Sequence, residues 1–241
     1  ASARAKLEEV WSKEKADVRA ALLATLATSL SSNDEPFLER ALGDRSVNVK
    51  GVAEDLLARL PHSAFVARMI ERAASVVQKA PAAVSMWEKV KSGFGTQALK
   101  LLVEPPAGEG SGARARALVQ LVAAVPLSYW RSHFDARPEQ LFDAARATDW
   151  SDPLIEGWTT AAVRQHDATW AQMLLERAAK SLTSEAKLSL VRALPPEAVM
   201  QHLRGAAPDE WPIGAMLEQL PMPWPRDFAA DWLRRLQRAA A

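Results

Sequence analysis

ALGDRSVNVKGVAEDLLARLP, residues 41–61, carries the reading from which the fold follows. Val49, Val52, Ala53, Leu56, Leu57 and Leu60 fall at i, i+3, i+4, i+7, i+8 and i+11, so a helix through them gathers all six on one face. That face has to be buried against another element. Asp44 or Ser46 is placed to cap the helix start, and Pro61 follows where the helix cannot continue. The preceding EPFLERAL, residues 35–42, supplies a short partner helix, and a tight polar turn makes the two a hairpin.

The unit recurs. Shifted back by about 31 residues, NVKGVAEDLLA lies over DVRAALLATLA, so that Val18 matches Val49, Arg19 matches Lys50 and Leu26 matches Leu57. LARLPHSAFVARMI, LVAAVPLSYWRSHF, LVRALPPEAVMQHL and LEQLPMPWPRDFAADWL each run an apolar helix end into Leu-Pro or Val-Pro and then into a further helix. Pro61, Pro126, Pro195 and Pro221 are therefore expected at the first position of the following helix, where a missing N–H has no partner to lose. Hairpins that cannot bury their apolar faces alone stack on one another. The expected fold is all-α, an irregular α-α superhelix built as a solenoid of antiparallel helical hairpins. EPPAGEGSGA, residues 104–113, interrupts the helical text with two prolines and three glycines and reads as a flexible linker loop. It divides the chain into residues 1–103 and a Trp-rich part, residues 114–241.

Composition supports helix. Glycine is scarce, at 10 of 241 residues, and almost no strand is expected. Thirty Lys and Arg against 29 Asp and Glu leave a formal charge of +1, which is not the footprint of a dedicated nucleic-acid binder. Residues 1–103 hold 15 basic and 12 acidic side chains and the remainder 15 and 17, so an anionic partner would favour the first part. Zero cysteines exclude disulfides, thiolate catalysis and cysteine-ligated zinc and fit a reducing compartment, here expected to be the cytoplasm. No uncharged apolar run is long enough to span a bilayer, and ASARAKLEEVWSKEK lacks the apolar core of a secretory signal.

ALGDRSVNVKGVAEDLLARL resembles a HEAT repeat, whose second helix opens with an Asp in the turn and a Val-Arg or Val-Lys pair, here Asp44 and Val49-Lys50. The runs KEKADVRAALLATLATSLSSNDEPFLERAL, LLARLPHSAFVARM, DWSDPLIEGWTTAAVRQHDATWAQMLL and PMPWPRDFAADWL resemble an uncharacterised bacterial family of HEAT-like proteins. Its members are often encoded beside SWIM-type zinc-finger proteins and MoxR-type ATPases. The resemblance implies that this chain, which begins without Met and inside a helical pattern, is the C-terminal portion of a longer member. It carries over no catalytic residue.

Local motifs give no chemistry of their own. GEGSGA, residues 108–113, is not followed by the lysine that a phosphate loop needs, and KSGFGT, residues 91–96, reads as a turn. His62, His133, His166 and His202 lack the HxxxH or HExxH spacing that would set two imidazoles on one helical face, so no metal or cofactor is expected. Asp152 before Pro153 reads as a helix cap, with Pro153 first in its helix. Nine Trp stand against one Tyr, and Trp130, Trp158, Trp170, Trp211 and Trp232 lie among aliphatic residues at helical spacing, as core residues would. Trp150, Asp149, Asp152 and Arg164 resemble, in residue type alone, the set that HEAT-like alkylpurine DNA glycosylases bring to a lesion.

These readings describe a non-enzymatic scaffold or adaptor that presents a helical surface to a protein partner, the SWIM-protein and MoxR-type neighbours being candidates. Nucleic-acid binding, with a glycosylase-like enzyme at its extreme, is the alternative. Arg19 and Lys50 recur at matching positions, and Arg45 lies in the turn between them; together they are the expected interaction residues, a basic ridge along one edge.

Overall fold

The computed structural model describes residues 3–80, 99–205 and 213–239. Val49, Ala53, Leu56 and Leu57 are buried in helix α4 (Val47–Ala58), while Val52 and Leu60 lie at the margin of the core. Helix α2 (Ala16–Ala24) begins 31 residues before α4, the register that the repeated text requires. The short helix α3 (Glu35–Ala41) buries Phe37, Leu38 and Ala41 against α4. Before these lies α1 (Ala3–Val10), which buries Leu7.

After α4 come α5 (Ala64–Val76), α6 (Ser111–Ala124), α7 (Leu127–Phe134), α8 (Pro138–Arg146) and α9 (Ser151–Gln165). The chain continues through α10 (Ala168–Arg177), α11 (Ser184–Arg192), α12 (Pro196–Gly205), α13 (Ile213–Leu217) and α14 (Arg226–Ala239). The protein is all-α but for one antiparallel ladder among the described residues. Its strands β1 (Val77–Lys79) and β2 (Leu101–Val103) pair Val77 with Val103 and Lys79 with Leu101. Each strand is only three residues long, too short for alternation to register in the sequence.

Packing runs in a row. Helix α2 lies on α4, α4 touches α6, α6 lies on α9, α9 on α11 and α11 on α13. The α6–α9 junction is tight. A Cβ on Gly157 would stand 2.6 Å from Val122 Cβ and 3.1 Å from the Val119 carbonyl, so only glycine admits this approach. Helices α4 and α5 both meet α6, so packing continues across the 104–113 segment, whose last three residues are already in α6.

The corner prolines do not sit where the sequence placed them. Pro61 precedes a Ser63 cap, whose hydroxyl accepts from the Val66 N–H at 3.2 Å and donates to the Leu57 carbonyl at 3.1 Å. Pro126 is itself the cap residue of α7, Pro195 is followed by Pro196 at the first position of α12, and Pro221 lies five residues before α14. At the Pro61 corner a serine that satisfies an orphan N–H fixes the start, whereas Pro126 and Pro195 stand immediately before their helices, one position short of the expected one. Likewise α9 starts at Ser151 behind Trp150, so Asp152 and Pro153 fall inside its first turn.

Trp130, Trp158, Trp170 and Trp232 are buried, as core residues should be; Trp211 lies outside the described residues, as do residues 91–96. Trp158 bridges two neighbours, its ring centroid lying 6.1 Å from Trp130 and 5.2 Å from Trp170. Three rings from α7, α9 and α10 thereby fill one continuous seam. No helix among the described residues is long and apolar enough to cross a membrane.

Candidate interaction groove

The exposed side of the helix row is not flat. Between α4, α9 and α11 lies a cleft of about 770 Å³, and between α4, α5, α6 and α9 a second of about 640 Å³. Asp55, Thr160 and Arg164 line both, so the two are halves of one groove. A shallower extension of about 500 Å³ continues over Gly51, Asp55 and Arg59 toward α2.

Helical periodicity puts these side chains in place. On α9, Asp152, Glu156, Thr160 and Arg164 are spaced by four and follow one side of the helix, next to the buried stripe of Ile155, Trp158 and Ala162. Asp55 on α4 and Arg59, which caps the end of that helix, likewise stand one turn apart and to the side of the core stripe.

Asp55 joins the walls. Its Oδ2 accepts from Arg59 Nη2 at 2.7 Å and its Oδ1 from Arg164 Nε at 3.0 Å. Arg164 Nη1 also donates to the Ala123 carbonyl at 2.5 Å, in the last turn of α6 where carbonyls have no helical partner. The adjacent Gln165 accepts from the Leu127 N–H at 2.9 Å and donates to the Val125 carbonyl at 3.2 Å. Two consecutive residues at the end of α9 therefore hold α4, the end of α6 and the start of α7. The Arg164 side chain is 14% exposed and the Asp55 carboxylate 37%, so this ion pair forms the floor of the groove and still faces solvent.

The expected interaction residues lie elsewhere. Arg19 grips Asp44 with two hydrogen bonds, Nε to Oδ2 at 3.0 Å and Nη2 to Oδ1 at 2.8 Å. Its remaining terminal nitrogen donates to the Glu14 carbonyl at 2.8 Å, and its guanidinium lies 5.7 Å from the Trp11 ring centre. Asp44 Oδ1 also accepts from the Ser46 N–H at 2.8 Å. The Arg19 guanidinium, then that N–H, hold the Asp44 carboxyl below the usual carboxylate range. Arg19 is thus a brace between α2 and the α3–α4 turn. Arg45 is exposed in that turn and Lys50 half-exposed on α4; none of the three lines the groove.

Of the four residues that resemble the glycosylase set, only Asp152 and Arg164 line the groove, three helical turns apart on α9. Trp150 is half-buried, with the Arg114 guanidinium 5.4 Å from its ring centre, and Asp149 points to solvent outside the groove. Histidines do not gather either: His62, His133 and His166 are exposed at separate sites, and His133 stacks on Tyr129. Among the described residues no group of three His, Asp or Glu side chains converges to hold a metal.

Sequence reasoning missed Asp55, Glu156 and Thr160. The four-residue spacing along α9 was a usable signal, but the pairing of Asp55 with Arg164 had none, since 109 residues separate them.

Fold and groove define a class: an all-α protein with helices packed in a row and a mixed-charge groove along their exposed side. Residues 1–241 match DUF5691, a family of unknown function, and the chain belongs to that family. No curated protein and no solved structure matches it.

Proposed function

We propose that the chain is a HEAT-like α-solenoid acting as a non-enzymatic scaffold, with the groove over α4, α5, α6, α9 and α11 receiving a protein partner. The observation that carries this reading is the groove itself, continuous across five helices and held by the Asp55–Arg164 pair. The row of contacts from α2 to α13, each helix touching the next of the series, is the packing that a helical-repeat scaffold uses to make an extended binding surface. The groove is negative on balance: Glu54, Asp55, Asp152, Glu156 and Glu185 oppose Arg59, Arg72 and Arg164. A phosphate backbone would be repelled there, which favours protein over nucleic acid.

Arg45 and Lys50 offer a second, basic contact on the other edge of α4, with Arg19 bracing the turn that carries them. The absence of cysteine suits a reducing compartment, and the cytoplasm is our proposed site of action. The SWIM-type and MoxR-type gene neighbours of the HEAT-like family supply the first candidate partners.

Capture with the tagged chain from a native lysate, with nuclease, tests the reading when wild type is compared with Thr160→Trp. Thr160 is exposed and lines both halves of the groove, so an indole there fills it without entering the core. A protein retained after nuclease by wild type and lost by Thr160→Trp is the expected result. Retention that disappears with nuclease would overturn it in favour of nucleic acid.

A further inference from the structure

The two halves of the groove differ in chemistry. In the half between α9 and α11, Asp152, Glu156 and Glu185 are all exposed, and none has an ion-pair partner among the described residues. The arginines on that wall, Arg59 and Arg164, are both engaged by the single carboxylate of Asp55. Four carboxylates against two guanidiniums leave this half with a formal charge of −2. Carboxylates crowded around a concave wall reinforce one another's potential, and an incoming cation relieves it.

The half between α5 and α6 is the opposite. Phe65, Met69, Val76 and Leu121 form an apolar floor, Pro106 from the 104–110 segment closes one side, and Glu54 and Asp55 balance Arg72 and Arg164. Such a depression suits an apolar side chain pressed in from outside. The Asp55–Arg164 pair stands between the halves and contacts both.

We propose that the groove recognises a basic segment of the partner protein that also carries an apolar anchor. Its Lys or Arg side chains meet Asp152, Glu156 and Glu185, and its anchor enters over Phe65 and Met69. This rests on the scaffold reading above and adds the chemistry of the partner. Charge complementarity selects the occupant: an acidic segment or a phosphate chain would bring more negative charge to a wall that already lacks countercharge.

The test is selection of a phage-displayed library of random dodecapeptides on the intact chain, followed by fluorescence anisotropy of the synthesised winners. Enrichment of Lys and Arg together with Leu, Met, Phe or Trp is expected. Glu156→Gln and Glu185→Gln should each weaken the winning peptide about two- to fivefold, as exposed charge pairs do. The double reversal Glu156→Lys/Glu185→Lys should abolish measurable binding, and replacing the peptide's anchor by Ser should weaken it about tenfold. Both acids are exposed, so circular dichroism and thermal melting of the variants should match wild type. Enrichment of acidic or uncharged peptides, no enrichment at all, or basic peptides indifferent to the folded double reversal would each overturn the proposal. A partner still captured after nuclease and lost on Thr160→Trp would then leave the scaffold reading standing alone.

Discussion

Arg164 on α9 reaches Asp55 on α4 at 3.0 Å across a sequence separation of 109, and the same guanidinium holds the last turn of α6 through Ala123. Because the Asp55 carboxylate is more than a third exposed, solvent screens part of the attraction. Asp55→Ala and Arg164→Ala should each cost about 1–2 kcal/mol, the arginine more because its loss also frees the Ala123 carbonyl. Urea unfolding of the two singles and the double should give a coupling energy of about 0.5–1 kcal/mol. A coupling of zero would mean that the pair contributes shape to the groove and no stability.

Two helical glycines should respond oppositely to alanine. At Gly157 the new methyl would meet Val122 at 2.6 Å, and the strain outweighs the gain in helix propensity, for a net loss of about 1–2 kcal/mol. At Gly51 nothing lies within 4 Å of the added Cβ, so the same change should stabilise α4 by about 0.5–1 kcal/mol. Denaturant midpoints of the two variants decide the matter, and a stabilising Gly157→Ala would show that the α6–α9 junction admits a methyl group.

The Arg19–Asp44 brace gives a pH dependence with a definite sign. Asp44 is held below the ordinary carboxylate range in the folded protein, so its contribution is complete above the unfolded value of about 4 and is lost as pH falls through the folded value. Arg19→Ala should remove about 1–2 kcal/mol at neutral pH, since both partners are largely buried. Asp44→Asn should flatten the acid limb of a stability-against-pH curve measured by urea melts. An unchanged acid limb in that variant would assign the dependence to other carboxylates.

Trp158 touches aromatic rings on both sides, so its truncation empties the middle of the seam. Trp158→Ala should cost about 3–5 kcal/mol and lower the melting temperature sharply. Trp150→Ala, at a half-buried ring outside that seam, should cost less than half as much. Thermal melts of the pair test whether α7, α9 and α10 depend on this seam.

Lys50→Glu probes the proposed basic edge. Lys50 is half-exposed and its charge helps to hold Asp44 ionised, so reversal should leave the fold intact with a loss below about 1 kcal/mol. Partner capture should fall by about tenfold if this edge is a contact. Retention equal to wild type in a folded variant removes the edge and leaves the groove.

Much of the helical text could be read because burial leaves a period. The stripe from Val49 to Leu57 and the 31-residue offset between α2 and α4 are both local regularities. Helix starts were less legible, since Ser63, Asp167 and Thr183 fix them through single side-chain hydrogen bonds to backbone N–H groups, and proline is the louder but less exact signal. The β1–β2 ladder was hidden for a different reason: Val77–Lys79 continues the text of α5 without a break, and only its pairing with Leu101–Val103 makes it a strand. Arg19 drew notice by recurring, and its position is explained by a contact across one turn. The groove depends on Asp55 meeting Arg164, a relation in space that no window of sequence contains.

That relation also has a schedule. A ribosome adds on the order of 5–20 residues each second, so Asp55 is made about 5–20 s before Arg164 exists to meet it. During that interval the nascent α4 has Arg59, one turn away, as its nearby counterion, and the far wall of the groove has not been translated. The two walls of the groove are therefore made in succession, and the cleft takes shape only once α9 and α11 have followed α4 out of the ribosome.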